Sequence, residues 1–138
     1  MKSRMMKIKN LSIVLMMVLS FSLYAVFAND SVLNDAYNNH QSDVQVQGAG
    51  NVIKLLSEDN KGSRHQRFIL RLDSGQTILV AHNIDLAPKI ANLRVNDLIE
   101  FYGEYEWNSR GGVIHWTHHD PSNRHAHGWL RHNGTTYQ

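Results

Sequence analysis

Gly103-Glu-Tyr-Glu-Trp-Asn-Ser-Arg-Gly-Gly-Val-Ile-His-Trp-Thr-His-His-Asp-Pro121 is the stretch whose reading decides the fold. It reads as the end of one strand, a glycine turn and a second strand. From Leu98 to Trp107 the residues alternate. Ile99, Phe101, Tyr105 and Trp107 lie on one face, and Glu100, Tyr102, Glu104 and Glu106 on the other. Such alternation marks a strand with one buried face. Gly103 marks a bend within it. Asn108 to Gly112 predicts the turn, and Val113 to about His119 the partner strand. For Ile114 and Trp116 to share the core with Phe101 and Tyr105, paired residue numbers must sum to an odd value. A two-residue turn at Ser109-Arg110 sets His115 opposite Glu104. A turn at Arg110-Gly111 sets it opposite Glu106. Either register puts an imidazole across from a carboxylate, with Cβ atoms ~5 Å apart.

Upstream, Asn83 to Leu93 predicts a short helix capped by Asp85, with Pro88 in its first turn and Leu86, Ile90 and Leu93 on one side. Arg67–Leu72 and Thr77–His82 read as a hairpin around Asp73-Ser74-Gly75-Gln76, with Ser-Gly as the central pair. That turn places Arg67 opposite His82 and puts Phe68, Leu70, Leu72, Leu79 and Ala81 on the core face. Arg67, Ile69, Arg71, Ile78, Val80 and His82 then share the other face. Val44 to Leu56 reads as a long strand interrupted at Gly48 and Gly50, a sign of a bulge or bend. Before it, residues 29–42 predict a short N-terminal helix. Asp30 or Ser31 caps it, and Val32, Leu33, Ala36 and Tyr37 form its apolar side.

The expected class is mainly β, over a domain spanning residues 43–138. Its order, strand-strand-strand-helix-strand-strand, is the layout of a five-stranded barrel resembling an oligonucleotide/oligosaccharide-binding (OB) fold. An open β-meander with one covering helix reads similarly. The tail carries Asn133-Gly134, a hairpin signal.

Residues 1–28 differ from the rest. Lys2, Arg4, Lys7 and Lys9 precede a nearly unbroken apolar run from Leu11 to Phe27, and Val26-Phe27-Ala28 offers small residues for cleavage after Ala28. This is the pattern of a secretory signal peptide, and the expected location is periplasmic or secreted, with no membrane association after cleavage. An uncleaved anchor is the alternative, but its apolar run is short for a bilayer span of ~20 residues. The segment holds four of the fourteen Lys and Arg and no acid, so the remainder carries ten bases against twelve acids, a net charge of −2. The argument from a generally basic protein to nucleic acid binding thereby loses its support, which leaves nucleic acid a weakly supported partner; any anion site must be local. The absence of cysteine excludes disulfides and thiolate chemistry.

His115, His118, His119, His125, His127 and Asp120 lie within 13 residues. Neutral imidazole ligates Zn, Cu or Ni, and a carboxylate can complete a set. His115, His118, His119 and Asp120 are therefore candidate metal ligands. In a continuing strand His115 and His118 face opposite sides, so one ion reaches several of them only if the strand stops near Thr117. Pro121 restricts Asp120 and favours such a stop. The same histidines also read as hydrogen-bonding residues at a barrel rim. As a third reading, His115 and Glu104 form an acid–base pair of a hydrolase, such as a phosphodiesterase or nuclease. Arg64, His65, Arg67, Arg71 and His82 form a second candidate site, for a small anion such as phosphate or carboxylate. Trp107, Trp116 and Tyr102 offer stacking planes for nucleic acid, though aromatics of this kind more often fill a core.

Four runs carry a family resemblance: Arg64-His-Gln-Arg-Phe68, Ala81-His-Asn-Ile-Asp-Leu-Ala-Pro88, Gly103-Glu-Tyr-Glu-Trp-Asn108 and His115-Trp-Thr-His-His-Asp-Pro121. They resemble small exported bacterial proteins grouped as domain of unknown function 3465. The resemblance implies a signal peptide and a compact strand-rich domain, and it carries no activity. The functional expectation is an exported binding module for a metal ion or small anion. A hydrolase and a structural envelope protein without a small ligand are the alternatives.

Overall fold

The computed structural model describes residues 30–138; the expected signal segment, residues 1–28, lies outside the described residues. Among the described residues one helix, α1 (30–38), precedes seven strands. These are β1 (Val44–Leu55), β2 (His65–Arg71), β3 (Thr77–Asn83), β4 (Leu98–Glu106), β5 (Val113–His115), β6 (Trp129–His132) and β7 (Thr135–Tyr137). β1 pairs with β2 and β2 with β3, both antiparallel. β3 runs parallel to β5, β5 antiparallel to β4, and β4 returns to β1. The ring is closed, and the protein is a β-rich five-stranded barrel.

Closure depends on the length of β1. Its first part, Val44 to Asn51, pairs with β4, and the part from Asn51 onward pairs with β2, with a register break between Val52 and Lys54. A bulge bends a strand and increases its twist, which lets one strand serve two neighbours around a corner. Phe68, Leu70, Ile78, Val80, Ile99, Phe101, Tyr105 and Ile114 fill the interior with no exposed surface. α1 adds Leu33 and Ala36 to that core. Each large side chain so buried contributes about 2 kcal/mol. Trp107, partly buried, donates its indole N–H to the carbonyl of Tyr37 at the end of α1. Gly112 has φ 100°, and the ring of Tyr105 occupies the space a Cβ would need there. The tail hairpin turns at Asn133 and Gly134, both at positive φ, as a two-residue type I′ turn requires. β6 pairs with β4 beside β5, so one edge of β4 is shared by two short strands.

Three expectations are corrected. First, β2 and β3 pair as Gln66↔His82, Arg67↔Ala81, Phe68↔Val80 and Leu70↔Ile78. The connection is a three-residue loop, with Gly75 N–H donating to Leu72 O, Leu72 N–H donating to Gln76 O, and Gly75 at φ 89°. That is a type I turn closed by a glycine bulge. Relative to a two-residue turn it slips β3 by one residue, which exchanges the two faces of the strand. Ile78, Val80 and His82 are therefore inside, and Arg67 does not face His82.

Second, no helix forms between Asn83 and Leu93. Only one helical bond is made, from Ala87 N–H to Asn83 O. The Gln66 side chain then takes the segment over: its Oε1 accepts from Ile90 N–H and its Nε2 donates to Ile90 O. These bonds satisfy the backbone that a helix would otherwise have to pair. Third, β5 ends at His115 rather than near His119, because Trp116 adopts φ 56°. A left-handed bulky residue leaves the extended path outright.

Candidate functional site

The outward face of β4 carries Tyr102, Glu104 and Glu106, while Phe101, Gly103 and Tyr105 point inward. Cross-strand pairing puts Glu104 directly opposite His115 on β5 and opposite Gln45 on β1. This row spans three adjacent strands, and all three side chains are partly covered. His115 Nε2 lies 3.4 Å from Glu104 Oε2 and 3.3 Å from Glu106 Oε1. The atom is enclosed, yet it forms a hydrogen bond with neither oxygen. The amide nitrogen of Gln45, in the same row, is also enclosed and unpartnered. Buried polar groups are nearly always satisfied, so two unpartnered nitrogens in the row that holds Glu104 single this place out. Ligand atoms of Glu104, Glu106 and His115 all lie within 4.8 Å of one another. Glu106 opens the group to solvent, and Glu104 closes its floor.

A fourth side chain enters from the loop after β5. His125 Nε2 lies 3.2 Å from Glu104 Oε2, the oxygen that also faces His115. Three devices place it. Trp116, turned out of β5 by its left-handed φ, stacks on the His125 ring with centroids 4.1 Å apart and planes 12° from parallel. Asp120 Oδ1 accepts from Ser122 N–H, and its Oδ2 accepts from Arg124 N–H and His125 N–H, each at 2.8 Å. Those bonds, led by the one from Ser122, hold the Asp120 carboxyl below the usual carboxylate range. The loop returns through Gly128, whose N–H donates to His118 O at 3.0 Å. A Cβ at Gly128 would overlap the carbonyl oxygen of Trp116, so only glycine lets the chain pass there.

The expected metal set is divided by this geometry. His115 faces the two glutamates, but His118, His119 and Asp120 do not join it. His118 is buried, with Nδ1 donating to His119 O at 2.6 Å. His119 is exposed and packs edge-on against His127. His127 Nδ1 accepts from Asp120 N–H, so its proton is on Nε2 and it has no outward lone pair to offer. Asp120 is occupied with the loop backbone. The β5 break at Trp116 sends these groups in three directions, one residue earlier than a stop at Thr117.

The residues expected to hold an anion are also separated. Arg64 donates from Nε to Asp85 Oδ1 at 2.8 Å and from its N–H to Oδ2, which neutralises it. His65 is tied to Ser63 O and Arg67 to Ser57 O. Arg67 borders a cleft of about 530 Å³ shared with Glu58, Asp59 and Lys61, a mixed rather than a positive surface. Arg71 is exposed at the end of β2. His82 lies wholly inside the barrel, with Nε2 donating to Pro88 O at 3.0 Å and Nδ1 accepting from the Thr117 hydroxyl at 2.8 Å. Burial pushes its pKa down to about 4. It is a satisfied core histidine that stitches β3 to the turns on either side.

A second imidazole–carboxylate pair lies away from this row. His132 Nε2 donates to Asp97 Oδ2 at 2.8 Å beside a cleft of about 350 Å³ lined in part by Arg94, Asn133 and Tyr137. That bond, with help from Arg94 N–H, holds Asp97 below the usual carboxylate range. It bolts the tail hairpin to the turn before β4. Sequence reasoning missed Glu106 as a simultaneous partner of His115, placed His125 in the histidine cluster without naming it a ligand, and gave no role to Gln45. Gln45 had a signal, since it alternates with Val44 and Val46 at the start of β1. His125 had its place in the cluster of histidines between residues 115 and 127.

No curated protein matches the chain. The family model described as protein of unknown function (DUF3465) matches residues 15–138, nearly the whole length.

Proposed function

We propose that this chain, which belongs to the DUF3465 family, works as an exported small binding module that holds a divalent metal ion between Glu104, Glu106 and His115. The observation that carries the reading is His115 Nε2, enclosed, unbonded and set between two carboxylates. The two carboxylates repel one another, and an imidazole with its lone pair on Nε2 repels both, unless a proton or a cation sits among them. A cation removes that repulsion and satisfies the orphaned nitrogen in one step. The same charge disfavours a small anion at this place. Imidazole with carboxylate suits first-row transition ions. Export rests on the basic and apolar pattern of residues 1–28.

The test is metal titration of the exported protein after chelation, followed by thermal unfolding. A ligand at one hundred times its Kd stabilises the fold by about 2.7 kcal/mol. Zn, Cu or Ni should raise the melting temperature of wild type and leave that of Glu104→Gln/His115→Ala unchanged. Equal shifts in both proteins, or none in either, overturn the reading.

A further inference from the structure

We infer that His125 is a fourth ligand at this centre, which makes it a two-nitrogen, two-carboxylate site selective for Zn, Co or Ni over Mg and Ca. The inference rests on the metal reading above and adds to it a residue from outside the barrel.

The tautomer argument is the first support. His125 Nδ1 lies 2.9 Å from the carbonyl oxygen of Ala126, which can only accept, so Nδ1 carries a proton. The neutral ring then has its lone pair on Nε2, the nitrogen aimed at Glu104 Oε2. Ligating histidines are held in this way, with one ring nitrogen donating to a backbone carbonyl and the other directed at the ion. Convergence is the second support. Glu104 Oε2 is approached by His115 Nε2 at 3.4 Å from β5 and by His125 Nε2 at 3.2 Å from the loop. The His125 contact is a hydrogen bond to Glu104 Oε2; at a metal centre the same ring nitrogen would face the ion. Independent placement is the third support. The Trp116 stack, the Asp120 cap and the Gly128 passage involve different atoms, and together they fix the position of the His125 ring.

Two imidazoles change what the centre accepts. Mg and Ca take oxygen ligands, and a set with two nitrogens discriminates against them. Transition ions gain from each nitrogen, in the order Co below Ni below Cu.

The test compares wild type with His125→Ala, using Zn and Mg as separate probes. Wild type should bind Zn, and the variant should lose at least the roughly 100-fold in Zn affinity that marks the upper end of an outer-shell loss, with no change for Mg. A residue acting only through Glu104 could give a similar loss. A second readout on wild type separates the two roles and does not depend on the variant folding. Cadmium NMR on protein with nitrogen-labelled histidine should show couplings to two ring nitrogens. Coupling to one nitrogen overturns the inference and leaves the three-residue site standing. Unchanged Zn affinity in His125→Ala overturns it too. Absence of Zn and Cd binding in wild type removes the metal reading itself.

Discussion

Glu104 and His115 face each other across β4 and β5, with Oε2 3.4 Å from Nε2 and no hydrogen bond between them. Neighbouring carboxylate and imidazole groups normally bond. Here Glu106 Oε1 stands 3.3 Å from the same nitrogen, and the ring points into the gap between the oxygens. The arrangement suits a third body and does little for the fold by itself.

That gives the first prediction. Glu106 is half exposed, and its 3.3 Å contact with His115 makes no hydrogen bond; even a full surface ion pair is worth only ~0.5 kcal/mol. Glu106→Gln should leave the metal-free stability within that range and lower Zn affinity by 10-fold or more. Calorimetric titration and denaturant unfolding of the same variant measure both. A large stability loss with unchanged affinity would assign Glu106 to the fold.

Asp120 supplies the second prediction. It touches no proposed ligand side chain, but its carboxylate holds the backbone of Arg124 and His125. Asp120→Ala should release the loop and weaken Zn binding by ~10-fold, the scale of an outer-shell loss. Asp120→Asn keeps one acceptor oxygen and should recover part of it. If neither variant alters binding, the loop does not organise the site.

His82 gives the third, with its sign fixed by burial. Its folded pKa is about 4, against an ordinary value of 6.5, so the unfolded chain binds the proton more readily. The stabilisation is complete above pH 6.5 and is lost as pH falls from there to about 4. The loss amounts to roughly 3 kcal/mol. Denaturant unfolding at stepped pH should show this slope in wild type and a flatter profile in His82→Gln. Parallel profiles would exclude His82 as the source.

Gly128 gives the fourth. A Cβ there meets the carbonyl oxygens of Trp116 and Tyr102, which are backbone atoms and cannot swing away. Gly128→Ala should cost about 3 kcal/mol, the upper end for overpacking, and should abolish the Trp116–His125 stack. Tryptophan fluorescence and melting temperature report the two effects. A variant as stable as wild type would show that the loop has an easier path.

Much of this fold was legible in the alternation from Leu98 to Trp107 and in the odd-sum pairing that sets His115 against Glu104. Asn133-Gly134 was legible because only a few residue pairs tolerate two positive φ values. The reading failed where one side chain or one dihedral outweighed the pattern. Gly75 closed a bulged turn in place of a two-residue turn, and that slip turned His82 from a surface residue into a core one. Gln66 captured both backbone groups of Ile90, and the predicted helix did not form. Trp116 adopted a conformation that its residue type disfavours. No period in the sequence signals it, yet it decides which histidines reach Glu104. Arg64 looked free to bind an anion until Asp85, 21 residues away, was found on it.

The central claim is that Glu104, Glu106 and His115 hold a metal ion. Its most direct measurement is elemental analysis of the protein, purified without added metal or chelator, beside Glu104→Gln/His115→Ala prepared identically. The account predicts close to one transition-metal ion per wild-type chain and none in the double variant. Equal metal content in the two proteins, or none in wild type even after dialysis against Zn, would contradict it.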